Sequence, residues 1–211
     1  MFDTALQIAG LLIGLVYLYY EYHASPKVWI AGLVMPMVSM FVYFRKGLYA
    51  DFGMNIYYLL MAIYGYLAWT GRFDFRKLFG KKDGATASTS HAPSATEVLK
   101  IRHLELRKYL PVVLVSALLW VGIAMFLIHA TDSTVPWADA FTTAMSIVGT
   151  WMLARKYIEQ WIVWVLVDAV CVVLYIYKGI YPYALLYGIY TIIAILGYRK
   201  WLRLMRSSTG I

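Results

Sequence analysis

The sequence is poor in charge. Of its 211 residues only 14% are Asp, Glu, Lys or Arg, against 62% apolar, and the mean hydropathy is +0.66. Ordinary soluble domains carry about 25% charged residues, so a water-soluble globule is excluded. Cysteine is limited to Cys171, inside an apolar run, which excludes a disulfide framework and a thiolate metal site. Histidine is scattered at His23, His91, His103 and His129, no glycine-rich phosphate loop is present, and no nucleophile has an evident base. Neither an enzyme nor a bound metal or cofactor is therefore expected. The first apolar run is preceded by no basic residue and followed by no small-residue cleavage site, so a cleavable signal peptide is not expected either.

What is present is apolar length. About 20 apolar residues cross a bilayer, so a chain of this size holds roughly seven helices and no separate soluble domain. Uncharged stretches place spans at Thr4 to Tyr20, Val28 to Phe44, Phe52 to Thr70, Tyr109 to Ala130, Trp137 to Leu153, Gln160 to Tyr177 and Ile180 to Tyr198. The fold class expected is an all-α integral membrane protein with seven transmembrane helices. The net charge of +8 would suggest nucleic acid in a soluble protein; here it sets topology. If the loops alternate between two faces, Arg45, Lys46 and Lys178 lie on one and the remaining 16 of the 19 basic residues on the other. The positive-inside rule then puts the N-terminus outside and the C-terminus in the cytoplasm. The small, polar stretch from Gly80 to Glu97, GKKDGATASTSHAPSATE, cannot bury enough surface to fold and reads as a cytoplasmic tether.

The second half of the chain repeats the first at an offset of 132 residues. Lys46-Gly47-Leu48-Tyr49 falls on Lys178-Gly179-Ile180-Tyr181, and Trp29-Ile30 on Trp161-Ile162. Tyr58, Ala62, Ile63, Gly65, Tyr66 and Trp69 fall on Tyr190, Ala194, Ile195, Gly197, Tyr198 and Trp201, and Tyr43 on Tyr175. Three helices repeat, and because three is odd a connecting span is needed for both copies to face the same way. The organisation expected is a first three-helix repeat over 1–78, a cytoplasmic linker over 79–108, connecting helix four over 109–131, and a second repeat with a basic tail over 132–211. Most matched positions suit packing, with Ala and Gly at close helix approaches and Tyr and Trp as interfacial anchors. Tyr190, the deepest tyrosine of the second stripe, is the one directed towards a ligand.

Asp168 is the ionisable residue that stands mid-span. It lies about nine residues beyond Glu159, or roughly 13 Å at 1.5 Å per residue, close to the bilayer midplane. A carboxylate costs roughly 2.5 to 3.5 kcal/mol there, which marks a functional candidate. No Lys or Arg is placed at that depth to pair with it, so a cationic ligand is the natural counter-charge. In Trp161-Ile-Val-Trp164-Val-Leu-Val-Asp168, spacings of three and four put both indoles and the carboxylate on one helical face. Two aromatic faces and an anion suit a flat, positively charged heterocycle. In the repeat Asp168 falls on Pro36, so one ligand per protomer is expected and Pro36 reads as a kink or hinge. Asn55 and its repeat partner Tyr187 are weaker candidates for the same site. A retinal-type photoreceptor would need a lysine deep in the last span, where Lys200 stands only at its end.

WIVWVLVD followed by YKGIYPYALLYGIYTIIAILGYRKW resembles the second half of the Pnu vitamin transporters, a bacterial group sharing the three-plus-one-plus-three fold of the SWEET sugar carriers. The resemblance extends over all seven helices in layout, and its most specific element is W-x-x-W with a polar residue four positions on. Members of the PnuC type, which carry nicotinamide riboside, typically have Asn there. Asp168 departs from this and matches the thiamine-transporting PnuT branch, so the resemblance implies thiamine, with nicotinamide riboside as the alternative. Both vitamins carry a cationic aromatic ring; the aminopyrimidine of thiamine adds a donor that a carboxyl can engage. The resemblance also implies facilitated diffusion across the bacterial inner membrane by alternating access, with the vitamin trapped by a cytoplasmic kinase. The expected partners are thus the vitamin, the lipid bilayer and that kinase, not nucleic acid, and a homo-oligomer is compatible with the chain. A single intramembrane carboxyl occupied by a cation leaves no second group to carry a coupling proton. A cysteine introduced at Ser88 is expected to label only from the cytoplasmic side; labelling of intact cells by an impermeant thiol reagent would overturn the topology.

Overall fold

The computed structural model describes residues 2–45, 49–71 and 99–208. The tether at 80–97, with Ser88, and the Lys46-Gly47-Leu48 part of the repeat lie outside the described residues. The described chain forms seven helices: α1 (Phe2–Tyr22), α2 (Lys27–Arg45), α3 (Tyr49–Trp69), α4 (Leu106–Ala130), α5 (Pro136–Ala154), α6 (Gln160–Tyr177) and α7 (Tyr181–Ser208). These coincide with the seven apolar stretches except that α7 runs past the expected end at Tyr198. The extension carries Arg199, Lys200, Arg203 and Arg206, and basic groups at a helix C-terminus complement its dipole. Among the described residues, three helical stretches are long and apolar enough to cross a membrane: Leu106–Ala130, Gln160–Tyr177 and Tyr181–Ser207. Most of the α4 surface is exposed and apolar, with only Ser116 and Ala124 buried, which suits a helix bathed in lipid.

The chain divides into two compact units, Met1–Lys100 and Ile101–Ile211. Within the first, α2 packs against α1 and α3; within the second, α5 packs against α4 and α6, and α6 against α7. The turn that precedes α2 recurs before α6, bond for bond. Ala24 and Lys156 both adopt a left-handed backbone, with φ of 50° and 54°. Around them Ala24 N–H donates to the Glu21 carbonyl and Ser25 N–H to that of Tyr20, while Lys156 N–H donates to Leu153 and Tyr157 N–H to Met152. This is the paired bonding of a Schellman helix end, and each acceptor and donor moves by the same 132 residues. Val28 to Ser25 and Trp29 to Pro26 likewise reappear as Gln160 to Tyr157 and Trp161 to Ile158.

The same offset relates the seams between α2 and α3 and between α6 and α7. Trp29 and Trp161 are both fully buried, and each lies over a glycine of the next helix, Gly65 and Gly197. A Cβ built on Gly197 would come within 2.6 Å of the Trp161 ring, and one on Gly65 would also collide with Trp29. Each indole also meets a second one edge-on, Trp29 against Trp69 and Trp161 against Trp201, both with centroids 5.7 Å apart. The absent side chains let these helix pairs approach, and the indoles fill the space.

One expected boundary moves. The cytoplasmic linker was expected to run to residue 108, yet residues just after the tether are fixed to the α5–α6 turn. Arg102 N–H donates to the Lys156 carbonyl and Ile158 N–H to that of Arg102, forming a short parallel bridge. The Glu159 carboxylate accepts bonds from Leu104 N–H at 3.0 Å and Tyr109 Oη at 3.3 Å and pairs with His103 Nδ1 at 2.8 Å. The Arg102 guanidinium lies over the Tyr157 ring at 5.0 Å. Beside them burial pushes the Lys156 ammonium down to about 8. With these bonds satisfied, the polar segment is held in place and α4 begins at Leu106 rather than Tyr109.

Gly197→Ala is expected to destabilise the protein by about 1–3 kcal/mol, the usual cost of overpacking, because the buried Trp161 ring has nowhere to go. Combining it with Trp161→Leu should restore part of that loss, as judged by thermal melts in detergent. Strictly additive losses would show that the indole does not set the helix spacing.

Candidate functional site

The second seam assembles the site. Positions 161, 164, 168, 171 and 175 recur at spacings of three and four along α6 and place Trp161, Trp164, Asp168, Cys171 and Tyr175 on one stripe. On antiparallel α7 the facing stripe is Tyr183, Tyr187, Tyr190, Ala194, Gly197 and Trp201. Tyr175 stacks on Tyr183 at one end, and Trp161 covers Gly197 and Trp201 at the other. Asp168 lies between these ends. It is buried, with 7% of its surface accessible, and its carboxylate is close enough to Tyr187, Tyr190 and Cys171 to act on all three electrostatically. Among the described residues no hydrogen bond or ion pair reaches it.

Trp164 stands one helical turn towards the N-terminal end of α6 from Asp168, partly buried, with its ring 3.5 Å from where a Cβ on Gly149 of α5 would sit. Its Nε1 has no hydrogen-bond partner among the described residues. The first unit reverses this arrangement. Trp164 corresponds to Gly32 and Gly149 to Tyr17, and there the Tyr17 ring of α1 lies 3.2 Å from a Cβ on Gly32. An aromatic ring meets a glycine in both units, but from opposite helices.

A carboxylate without a fixed counter-charge, beside tyrosines and an indole, can neutralise and stack on a flat organic cation. Nothing in this seam resembles a catalytic dyad, and no group of three His, Cys, Asp or Glu among the described residues could hold a metal. The sequence of the nicotinamide mononucleotide transporter family matches residues 4–203. The chain belongs to that family. Members of this family are transporters rather than enzymes, and the protein is a multi-pass membrane protein. The nicotinamide riboside transporter PnuC of Escherichia coli is 26% identical over 180 residues, covering 83% of this chain and 75% of that protein. The PnuC of Neisseria mucosa is 25% identical over 188 residues, covering 85% of this chain and 65% of that protein. The crystal structure of the vitamin B3 transporter PnuC superimposes with a TM-score of 0.62 over 92% of this chain and 79% of that one, at 23% identity, and shares the fold.

Within this transporter the candidate residues separate into three groups. Trp164, Asp168, Tyr187 and Tyr190 lie in or beside one seam of the second unit. Trp161, expected on one helical face with Trp164 and Asp168 as part of an aromatic box, is shut inside the α6–α7 interface, because the missing Cβ of Gly197 makes a hole of indole size. Pro36, buried inside α2, and Asn55, partly buried on α3, belong to the first unit. Asn55 makes interactions of its own there. Reading the sequence alone misses Gly149, which sets how far Trp164 can enter, and the place of Tyr175 and Tyr183 beside Tyr187. Gly149→Ala is expected to shift the Trp164 ring by tenths of an ångström, since its Cβ would meet Val163 at 3.3 Å and Trp164 at 3.5 Å. Ligand affinity should fall by about tenfold with little change in melting temperature, an overpacking effect confined to one ring. Equal affinity by tryptophan-fluorescence titration would detach Trp164 from the site.

Proposed function

We propose that this protein carries nicotinamide riboside across the bacterial inner membrane by facilitated diffusion. The observation that carries the reading is the buried, unpaired carboxylate of Asp168 among tyrosines and Trp164, in a chain of this family. In this reading Asp168 balances the pyridinium charge, Trp164 and Tyr190 stack on the ring, Tyr187 borders the carboxylate, and Trp161 is a buttress that fixes α6 against α7. Pro36 acts as a hinge, because proline removes the helical bond to the Gly32 carbonyl. Asn55, in the first unit, remains a separate candidate. The helices are arranged as three plus one plus three, as in SWEET carriers, with the N-terminus outside and a cytoplasmic kinase trapping the cargo.

The identity of Asp168 favours a second reading. Where the nicotinamide riboside carriers typically have Asn, this chain has the carboxylate of the thiamine branch. The relatives named above support nicotinamide riboside, and the two cargoes differ in how they use position 168. The charged pyridinium nitrogen bears no proton, so nicotinamide riboside meets Asp168 through its charge and through donors that the oxygen of an Asn also accepts, the carboxamide N–H or a ribose hydroxyl. The aminopyrimidine of thiamine donates directed hydrogen bonds.

Titration of tryptophan fluorescence in the purified protein distinguishes them. Nicotinamide riboside is expected to quench the wild type, and Asp168→Asn to weaken it by less than about tenfold, since cation–π contacts of roughly 0.5–2 kcal/mol remain. Thiamine, if it were the cargo, would lose about 2 to 5 kcal/mol in the same variant, as truncated charge pairs do. Quenching by thiamine alone would overturn the first reading.

A further inference from the structure

We propose that the tyrosine stack beyond Asp168 is an outer subsite, at which Tyr175 takes the flat cationic ring of the cargo before it reaches the carboxylate; this rests on the transport reading above. Tyr175 stacks on Tyr187 with centroids 5.2 Å apart and planes 11° from parallel, and on Tyr183 at 5.3 Å and 24°. Tyr187 then meets Tyr190 edge-on at 5.8 Å, on the turn of α7 that faces Asp168. The series therefore leads from Tyr183, which is 45% exposed, to a buried carboxylate.

Two observations separate this stack from the indole anchors. The buried indole pairs that fasten the seams are edge-on, at 90° and 84°, whereas Tyr175 lies near-parallel to Tyr187 and Tyr183, the other arrangement that aromatic pairs favour. Near-parallel rings expose broad faces, onto which another planar ring can be exchanged without changing the geometry of its neighbour. The second observation is the repeat. Tyr183 and Tyr187 correspond to Asp51 and Asn55 on α3, so the first repeat lacks the facing tyrosines and also lacks the carboxylate, having Pro36. Stack and carboxylate occur together in the second repeat. The exposed terminal ring, Tyr183, is the one a ligand displaces: the cargo takes its place on the Tyr175 face, gaining cation–π attraction, and then moves past Tyr187 and Tyr190.

Displacement makes opposite predictions for neighbouring rings, which shared packing does not. In liposomes containing the full chain, Tyr175→Leu is expected to lower kcat/KM for nicotinamide riboside about tenfold or more through loss of a stacking face, while equilibrium quenching changes less than threefold. Tyr175→Phe should restore most of the loss, because the ring and not the hydroxyl carries the effect. Tyr183→Leu, which removes the competing ring, should raise kcat/KM about twofold or more. Wild-type kinetics in Tyr175→Leu, an equal defect in Tyr175→Phe, or a Tyr183→Leu rate at or below the wild type would each overturn the proposal. Wild-type protein that neither binds nor transports nicotinamide riboside would remove the transport reading itself, and this inference with it.

Discussion

The contact on which the rest of the second unit depends is the Trp161 ring filling the space left by the missing side chain of Gly197. Interiors are close-packed, so a ring in such a hole fixes the separation and the axial register of two helices together. Beyond that point the α6–α7 seam continues by complementary volumes. Gly197 and Ala194 are the small residues at the end where α6 brings indoles, and Tyr187 and Tyr190 are the large ones where α6 brings Asp168 and Cys171. Asp168 is buried because both faces of the seam are already committed on either side of it. Trp29 over Gly65 supplies the same fastening in the first unit, but the positions that follow it on α2 are Gly32 and Pro36, and no carboxylate results.

The two units therefore separate positions that repeat from positions that differ. Residues that agree at the 132-residue offset build the frame: the Schellman turns at Ala24 and Lys156, the Trp29 and Trp161 anchors, and the glycines under them. Residues that disagree surround Asp168. Trp164 replaces Gly32, Gly149 replaces Tyr17 and Tyr187 replaces Asn55. By moving the ring-on-glycine contact from α1 onto α6, the second unit brings an indole onto the helix that carries the charge. A duplicated frame can tolerate such exchanges because the anchoring contacts lie elsewhere along the helices.

Much of this was legible in the sequence, for identifiable reasons. The helices follow from the length of uncharged runs, and Asp168 from the cost of placing a carboxylate among them. The burial of Trp161 was not foreseen because a spacing of three and four fits a ligand box and a helix seam equally well. The decisive signal was nevertheless present, since Trp161 matches Trp29 and Gly197 matches Gly65, and a ligand-binding residue has no reason to recur where the carboxylate does not. The turns left no trace, because their left-handed positions hold Ala24 and Lys156 instead of glycine. The segment before α4 was counted with the linker; it is held by backbone pairing with the α5–α6 turn, by the Glu159 carboxylate and by Leu104, buried against Val148, Met152 and Tyr157, and one leucine among charged residues gives little signal of its own. Membership of the family came from the comparisons, and the stacking of Tyr175 on Tyr183 and Tyr187 only from coordinates.

The carboxylate at position 168 bears on which charges the seam can accept. The α6 segment from Gln160 to Tyr177 contains no Lys or Arg, and the first on α7 is Arg199, beyond the Trp161 anchor and far from the carboxylate along the helix. A nucleotide would bring a phosphate dianion into a seam whose only mid-depth charge is already negative, and like charges in a medium of low dielectric repel strongly. A nucleoside would bring only its pyridinium cation, which the carboxylate can neutralise. Under the proposed function, a cargo phosphorylated after entry would gain the kind of charge that this seam disfavours, and a neutral residue at position 168 would disfavour it less strongly.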